Sequence, residues 1–334
     1  MQKILVIQTA FIGDVVLATA IAEKIKQYSP DAAIDYMVRK GNESLLSNNP
    51  NIKEVITWNK KENKRRNLFR LLRQIRKKRY DRVINLQRFF ATGILTAFSG
   101  ARETIGFDKN PLSFLFSLNI KHHIGEGIHE VDRNNSLISH FTDEKRIKPR
   151  LYPSESDYQK VSQYKQEPYI TISPTSVWFT KQYPGEKWIS LIDVLPAEYT
   201  IYLLGGKENK EDCNSILVKS KNKNVKVLAG QLSFLESAAL IEGAAMNYAN
   251  DSAPLHFASA VNAPVTAVFC STIPGFGFGP LSDISTIVQT KENLACKPCG
   301  LHGRKACPLG HFKCALSIDT TQLTDALSTA PLEQ

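Results

Sequence analysis

Short apolar runs alternate with longer amphipathic stretches along the chain, and the alternation occurs twice. Five β-rich runs come in the first half, at residues 3–8, 33–38, 54–58, 82–86 and 104–107. Five more come in the second half, at residues 169–173, 200–205, 225–228, 246–250 and 265–269. Strands that alternate with helical patterns favour a parallel sheet covered by helices. The pattern therefore predicts an α/β fold with two doubly wound, Rossmann-like parallel-sheet domains that face each other across a cleft.

A polar segment separates the two halves. Residues 142–167 are rich in charge and include Pro149 and Pro153, a composition typical of a linker. The length of 334 residues also suits two domains of about 150 residues each better than one core. We place the boundary after residue 160, which gives domains of residues 1–160 and 161–334. This division leaves the C-terminal helix able to pack back on the first domain.

Composition indicates an ordinary globular protein, with 43% hydrophobic and 22% charged residues. No apolar run reaches the roughly 18 residues of a membrane-spanning helix. Gln8 and Asp14 interrupt the early apolar stretch and little positive charge precedes it, so no signal peptide is predicted. We therefore expect a cytoplasmic protein whose thiols are reduced.

Positive charge is concentrated in residues 60–79, the basic segment. The chain has a formal net charge of +10, and the basic segment alone holds eleven Lys or Arg against one Glu. Leu68, Leu71, Leu72 and Ile75 recur with helical spacing, which predicts an amphipathic helix with one buried and one cationic face. The cationic face is either a solvated surface or a patch for anionic lipid head groups or phosphorylated glycolipid. Nucleic acid suits it less, because no nucleic-acid recognition motif accompanies the charge.

The standard nucleotide-binding motifs are missing. The chain has no G-x-x-x-x-G-K-[ST] and no G-x-G-x-x-G after the first strand, which disfavours an ATPase or a standard dinucleotide oxidoreductase. Ligands of open α/β sheets bind beyond the carboxyl ends of the strands, so residues there are the candidates for chemistry. Asp14 follows the first strand and Gly13, where a carboxylate either caps a helix or takes part in a reaction. Ser176 and Lys181 follow the strand at 169–173 and are suited to hold anionic oxygens.

A second candidate site follows the strand at 246–250. Asp251 or Ser252 can cap the next helix, and Pro254 is compatible with its first turn. The free N–H groups of that turn would form an anion site, although a capped structural helix explains the same residues. His256 lies in the same turn and is less readily explained by capping.

Four cysteines are clustered near the C-terminus. Cys296, Cys299, Cys307 and Cys314 have the spacing C-x2-C-x7-C-x6-C. In a reducing compartment such a cluster indicates either a structural zinc site or thiols and disulfides without metal. The spacing is not that of a standard zinc finger.

Together, these segments resemble the lipopolysaccharide heptosyltransferases of glycosyltransferase family 9. The resemblance covers nearly the whole chain. It is carried by IGDVV, NNPNIKEVI and HEVDRN in the first half and by SPTSVWFTKQYP, LLGG, AGQLSFLESAALIEGA and NDSAPLHFASAVNAPVTAVF in the second. It implies the two-domain GT-B fold, with an acceptor-side N-terminal domain and a C-terminal domain for the nucleotide sugar. It also implies inverting transfer of heptose from ADP-heptose to the lipopolysaccharide core, with no cofactor required for catalysis.

The resemblance also implies roles for particular residues. Asp14 matches the general base for the acceptor hydroxyl, and Lys181 matches the lysine that neutralises the donor diphosphate. Donor binding is implied for Ser176, Glu236, Asp251, Ser252 and His256, with Glu236 near the nucleoside end. Contact with the acceptor or the interdomain region is implied for His129 and Arg133. Ala253 and Tyr183 depart from the family pattern, where glycine and tryptophan are usual, and so put the identity of the nucleotide sugar in question.

The expected partners are therefore a nucleotide sugar and a lipid A/core glycolipid acceptor, with possible contact to an anionic membrane and none to nucleic acid. The expected location is the cytoplasm, including the cytoplasmic face of the inner membrane. Two alternatives stay open. One is a GT-B enzyme that uses another nucleotide sugar for a different surface glycan. The other is a non-catalytic protein that binds a nucleotide sugar.

Overall fold

The computed structural model describes residues 1–60, 62–125 and 127–328. The chain divides into two compact units, Met1–Tyr152 (unit 1) and Pro153–Gln334 (unit 2). The division precedes the helix Glu155–Val161, whose first turn is closed by Ser154 and Asp157, so this helix belongs to unit 2 as a whole.

Unit 1 is built on a six-stranded sheet whose adjacent strands are all parallel. Its strands are β1 (Lys3–Ile7), β2 (Ala33–Arg39), β3 (Glu54–Trp58), β4 (Arg82–Asn85), β5 (Glu103–Phe107) and β6 (Leu118–Ile120), in the order β3-β2-β1-β4-β5-β6. Its helices are α1 (Ile12–Tyr28), α2 (Lys64–Lys78), α3 (Phe90–Ala97) and α4 (Glu130–Ser136). Leu5, Ile7 and Met37 are fully buried, as expected for strands covered on both faces.

Unit 2 repeats this architecture. Its strands are β7 (Tyr169–Ser173), β8 (Thr200–Leu203), β9 (Val225–Val227), β10 (Met246–Asn250), β11 (Val265–Phe269) and β12 (Ser285–Gln289), in the order β12-β11-β10-β7-β8-β9. Its helices are α5 (Glu155–Val161), α6 (Gly185–Ile192), α7 (Lys210–Lys219), α8 (Phe234–Glu242), α9 (Ala253–Ala260), α10 (Lys313–Leu316) and α11 (Thr321–Ser328). The helix α11 packs within unit 2, where Leu323 is buried and its carbonyl accepts a hydrogen bond from Tyr248 Oη.

The two sheets confirm the predicted α/β class, and every predicted strand is present. The sequence missed β6 and β12, each of which forms one edge of its sheet, because both are partly exposed and lack a continuous apolar run. The amphipathic helix predicted within the basic segment is α2, with Leu71 and Ile75 on its buried face. Across the described part of the chain, no helix has the length and apolar character needed to span a membrane.

In each sheet the strand order reverses direction once, between β1 and β4 and between β7 and β10. Such a switch point leaves a crevice at the carboxyl ends of its two strands, where ligands of doubly wound folds bind. The residues after β1, β4, β7 and β10 are therefore placed for chemistry.

Candidate active-site residues in the two units

Asp14 lies in the first turn of α1, immediately beyond the switch point of unit 1. Its Oδ2 accepts a hydrogen bond of 3.2 Å from the backbone N–H of Phe11, the residue before the helix. The carboxylate is half-buried. Of the two alternatives left open by the sequence, capping is thus observed, and Asp14 remains accessible for chemistry as well.

Lys60 reaches back from the end of β3 to the loop after β1. Its Nζ donates to the carbonyl of Thr9 at 3.0 Å and to the Thr9 hydroxyl at 2.8 Å. Burial, followed by the positive charge of Arg39, lowers the pKa of Lys60 to about 8. The first lysine of the basic segment is therefore part of the crevice rather than of the exposed cationic face.

Helix α4 packs against α1 and brings a second carboxylate into the electrostatic field of Asp14. Glu130 is 12% exposed, and its Oε2 accepts hydrogen bonds from Arg133 Nε at 2.9 Å and Nη2 at 2.7 Å. Burial raises the pKa of Glu130 to about 7; Arg133 opposes this shift and the negative charge of Asp14 adds to it. A carboxyl group that titrates near neutrality is a candidate participant in proton transfer.

His129 and Arg133, the predicted acceptor or interdomain residues, are both buried. His129 Nδ1 accepts the N–H of Val131 at 3.1 Å and so caps α4. Arg133 donates to the Ile128 carbonyl at 2.9 Å as well as to Glu130. Both residues therefore organise the start of α4 and hold Glu130 in place.

In unit 2, Lys181 and Asp251 meet at the switch point between β7 and β10. Lys181 Nζ lies 2.7 Å from Asp251 Oδ2, and the Thr272 hydroxyl donates to the same oxygen at 2.6 Å. The side chains of Lys181 and Asp251 are 16% and 7% exposed, so both charges are largely removed from solvent. The structure thus brings together two of the predicted site residues, which lie seventy positions apart in sequence.

The loop that carries Lys181 is held from two sides. Asn250 Oδ1 accepts the N–H of Tyr183 at 2.8 Å, and Asn250 Nδ2 donates to the Pro174 carbonyl at 2.9 Å. On the other side, the N–H of Thr180 donates to the Arg304 carbonyl at 3.1 Å, and the N–H of Arg304 donates to Thr180 Oγ1 at 2.7 Å. Lys181 therefore projects from a loop that is fixed by two distant segments.

Ser176 lies on the same loop, where its carbonyl accepts a hydrogen bond of 2.6 Å from Gln182 Nε2. Gly303 packs directly against the lysine stem. Its φ is +75°, and a Cβ at this position would lie 2.8 Å from Lys181 Cγ.

Helix α9 begins beside the Lys181–Asp251 pair without a side-chain cap. Ser252 is its N-cap residue, but the Ser252 hydroxyl donates to the Asn250 carbonyl at 3.3 Å instead of accepting from the first turn. Asp251 is likewise engaged with Lys181 and Thr272. Pro254 in this turn has no N–H, and the N–H of Leu255 donates to the Ser252 carbonyl at 3.2 Å, so attraction for an anion here comes mainly from Lys181 and the positive end of the helix dipole. His256, in this turn, is buried beside Phe278.

Glu236 is occupied in its own helix. It forms a reciprocal capping box with Ser233 at the start of α8: the N–H of Ser233 donates to Glu236 Oε2 at 2.6 Å, and Ser233 Oγ accepts the N–H of Glu236 at 3.2 Å. The cap explains why an acid stands at this position.

All four clustered cysteines line one cavity of about 210 Å³, together with His311. Cys296 Sγ lies 3.9 Å from His311 Nε2. Partial burial raises the pKa of Cys307, but hydrogen bonds from the backbone N–H groups of residues 309–312 outweigh it and lower the pKa overall. Within the described ranges, no group of three or more His, Cys, Asp or Glu side chains is arranged to hold a metal ion, so the zinc prediction for Cys296, Cys299, Cys307 and Cys314 is not supported.

Two doubly wound units of this kind are the fold of a GT-B glycosyltransferase. The family model of glycosyltransferase family 9 (heptosyltransferase) matches residues 68–308. The chain belongs to this family and is a glycosyltransferase, as the sequence predicted.

Individual relatives agree with this assignment. Lipopolysaccharide heptosyltransferase 3 of Escherichia coli is 30% identical over 281 residues, which cover 78% of this chain and 82% of the relative. The solved family 9 glycosyltransferase of Veillonella parvula superposes with a TM-score of 0.88 at 22% identity and covers 100% of this chain and 98% of its own. The structure of E. coli ADP-heptose lipopolysaccharide heptosyltransferase II gives a TM-score of 0.81 at 22% identity, with 98% of each chain covered.

Sequence reasoning missed Glu130, although it lies between the two residues that were selected in HEVDRN. Its neighbour, Asp14, is more than a hundred positions away, so no local pattern shows their proximity. The only signal available was an acid directly adjacent to a selected histidine.

Proposed function

We propose that this glycosyltransferase transfers heptose from ADP-heptose to a sugar of the lipopolysaccharide core, with inversion at the anomeric carbon. In this proposal residues 1–160 bind the acceptor and residues 161–334 bind the donor. The observation that carries it is the Lys181–Asp251 pair beside the uncapped start of α9. A diphosphate would find one compact cation and the positive end of the α9 dipole there.

The donor half of the reaction needs positive charge that stabilises the leaving nucleoside diphosphate. Lys181 and the positive end of the α9 dipole would supply it from a largely desolvated site, where an electrostatic contact is stronger than in water. Ser176 and Ser252 would donate hydrogen bonds to phosphate oxygens, and His256 would line the same donor site. With these charges in place, the proposed reaction requires no cofactor.

The acceptor half needs a base that takes the proton from the attacking hydroxyl. Asp14 is the proposed base, because it is a half-buried carboxylate at the switch point of unit 1. In an inverting transfer the hydroxyl oxygen forms the new glycosidic bond as the bond to the diphosphate breaks, and Asp14 receives the hydroxyl proton. His129 and Arg133 would act indirectly, through α4.

Glu236 is proposed to stand near the nucleoside, where its helix cap would fix the orientation of the carboxylate. A different nucleotide sugar for another surface glycan is the second candidate function. It is favoured by Ala253 and Tyr183, which stand where glycosyltransferase family 9 usually has glycine and tryptophan. We place the enzyme in the cytoplasm, at the cytoplasmic face of the inner membrane, because the proposed acceptor is a glycolipid.

The test is turnover of a donor panel by the full chain. ADP-heptose, a UDP-hexose and a GDP-hexose are each supplied with core glycolipid that lacks terminal heptose, and the released nucleotide and the product linkage are measured. The proposal expects release of ADP only when acceptor is present, with an inverted anomeric configuration in the product. Turnover of UDP- or GDP-sugar alone would select the second function, and a retained configuration would remove Asp14 as the base of a direct displacement.

A further inference from the structure

Helix α2 presents a cationic stripe that the fold does not neutralise. Arg66, Arg70 and Arg73 recur on one face of the helix and, with Phe69, line an open groove of about 620 Å³. In the described part of the chain, none of these three arginines forms a salt bridge with an acid. Lys78, at the end of the helix, is by contrast paired with Asp35 and Glu54.

Large aromatic side chains are exposed on α2 and on the elements that pack next to it. Phe69 on α2 is 64% exposed and Phe114, in the short 3₁₀ helix Ser113–Leu115, is 74% exposed. Phe89 and Phe90, at the start of α3, are also more than half exposed. Since α2 packs beside α3 and α3 beside this 3₁₀ helix, the rings and the arginine stripe lie on neighbouring elements.

These elements also share one edge of the sheet. Helices α2 and α3 each follow a strand of a parallel sheet, β3 and β4, so they begin at the carboxyl ends of the strands. Asp14 lies at this same edge, in the first turn of α1. The start of each helix, including Phe89 and Phe90, therefore lies at the edge of the sheet that the proposed function assigns to the acceptor.

We propose that this face, Arg66, Phe69, Arg70, Arg73, Phe89, Phe90 and Phe114, docks unit 1 on an anionic lipid bilayer. Arginines attract acidic head groups, while aromatic rings insert into the interfacial layer, which is the combination that membrane-surface helices use. A polyanion without an apolar phase, such as nucleic acid, would neutralise the arginines and leave the four rings in water. The inference deepens the proposed function, because docking would hold the enzyme at the surface that carries a glycolipid acceptor.

Sedimentation with lipid vesicles tests the docking face directly. The full chain is mixed with vesicles of phosphatidylglycerol and phosphatidylcholine in equal parts, or of phosphatidylcholine alone, and the bound fraction gives a partition coefficient. Binding is expected only with phosphatidylglycerol and should weaken at high salt, because salt screens the arginine–phosphate attraction. Equal binding to both vesicle types would overturn the electrostatic part of the proposal.

Three variants separate this face from overall charge. R66Q/R70Q/R73Q is expected to lower the partition coefficient on the order of 100-fold, at about fivefold per arginine. K219Q/K221Q/K223Q removes the same charge from exposed positions of unit 2 and should have little effect. F69S/F114S keeps every charge and should lower binding about tenfold or more. The face is not the docking surface if the unit 2 variant loses as much binding as the arginine variant, or if the arginine variant binds like the parent.

Two further measurements keep folding and function separate from docking. R66K/R70K/R73K retains the charge and should retain vesicle binding. Binding of the parent and of F69S/F114S to duplex DNA is the second measurement. If the parent prefers duplex DNA to vesicles and F69S/F114S shows the same preference, the bilayer is not the partner. The vesicles contain no acceptor, so their binding does not depend on which sugar is transferred. With acceptor supplied, the arginine variant should transfer slowly to vesicle-embedded acceptor and at the parent rate to acceptor dispersed in detergent; equal rates on both would contradict a functional role.

Discussion

Lys181 Nζ lies 2.7 Å from Asp251 Oδ2, at the carboxyl ends of the two strands where the order of the second sheet reverses. The pair joins the loop after β7 to the segment between β10 and α9, and so holds the lysine in position. Under the proposed function, a donor diphosphate would compete with the Asp251 carboxylate for the same ammonium group, whereas a neutral sugar would not displace that carboxylate.

Replacing Lys181 should impair donor use. Lys181→Met removes the only charge in the pair that attracts phosphate, and we expect kcat/KM for the nucleotide sugar to fall about 100-fold to 1,000-fold. Calorimetric titration with ADP should show a matching loss of affinity. Lys226→Met, which removes an exposed lysine from β9, serves as the control and should leave both values unchanged. Parent-like kcat/KM in Lys181→Met would remove the lysine from the donor site.

Asp14→Asn separates the capping role of Asp14 from its proposed role as base. An Asn side chain can still accept the N–H of Phe11, so the free energy of unfolding should change by less than about 1 kcal/mol. It cannot take a proton from a hydroxyl, so kcat should fall about 100-fold to 10,000-fold. Denaturant titration and initial rates provide the two measurements. Asp14→Ala should lower both the free energy of unfolding and kcat, because it removes the cap and the proposed base together. A normal kcat in Asp14→Asn would show that Asp14 only caps α1.

Glu130 should make stability decrease with rising pH. Its pKa in the folded chain is about 7 against a reference value of 4.5, so between these values the folded state binds more protons than the unfolded state. The free energy of unfolding contributed by this group is therefore present below about pH 4.5 and is lost as the pH rises through 7, on the order of 3 kcal/mol in total.

Glu130→Gln cannot titrate and should flatten this dependence. Urea unfolding of the parent and the variant at pH 5 and at pH 7.5 gives the difference. Glu198→Gln, at an exposed position, should keep the slope of the parent. Parallel slopes for the parent and Glu130→Gln would show that Glu130 does not carry the effect.

Gly303→Ala should disturb the donor lysine through direct contact. The new Cβ would lie 2.8 Å from Lys181 Cγ and 3.1 Å from Thr180 Oγ1, so the lysine stem must move. Gly300→Ala is a matched control, because Gly300 has a φ of +77° and nothing within 4 Å of the added atom. Both variants should lose about 1 kcal/mol of stability for the left-handed backbone, and only Gly303→Ala should raise KM for the donor. Equal KM values in the two variants would rule out this contact as a determinant of donor binding.

The sequence predicted the central strands because they are short runs rich in apolar and β-branched or aromatic residues. β7 (YITIS) and β10 (MNYAN), with every residue buried, begin and end where the pattern placed them, even though β10 contains two asparagines. The edge strand β6 is short, and none of its residues is buried, so nothing in its pattern separates it from a loop.

Residues of the candidate site could be predicted from the sequence only where one motif contains several of them. Asp251, Ser252 and His256 belong to one turn, and the resemblance placed Lys181 with them; their pairing geometry came from the fold. Glu130 depends on packing between α1 and α4 and has no local signal. Cysteine spacing indicated a cluster, and the thiols do share a cavity, but spacing does not determine whether sulfur atoms converge on one point.

The cap that Asp14 provides to α1 has a consequence for the proposed catalytic cycle. A helix N-terminus favours negative charge, so a proton accepted by Asp14 during transfer would weaken the first turn of α1. If Asp14 is the base, as proposed, the same helix end would favour the return of this proton to solvent once product has left. In that case the fold itself would help to regenerate the base between turnovers.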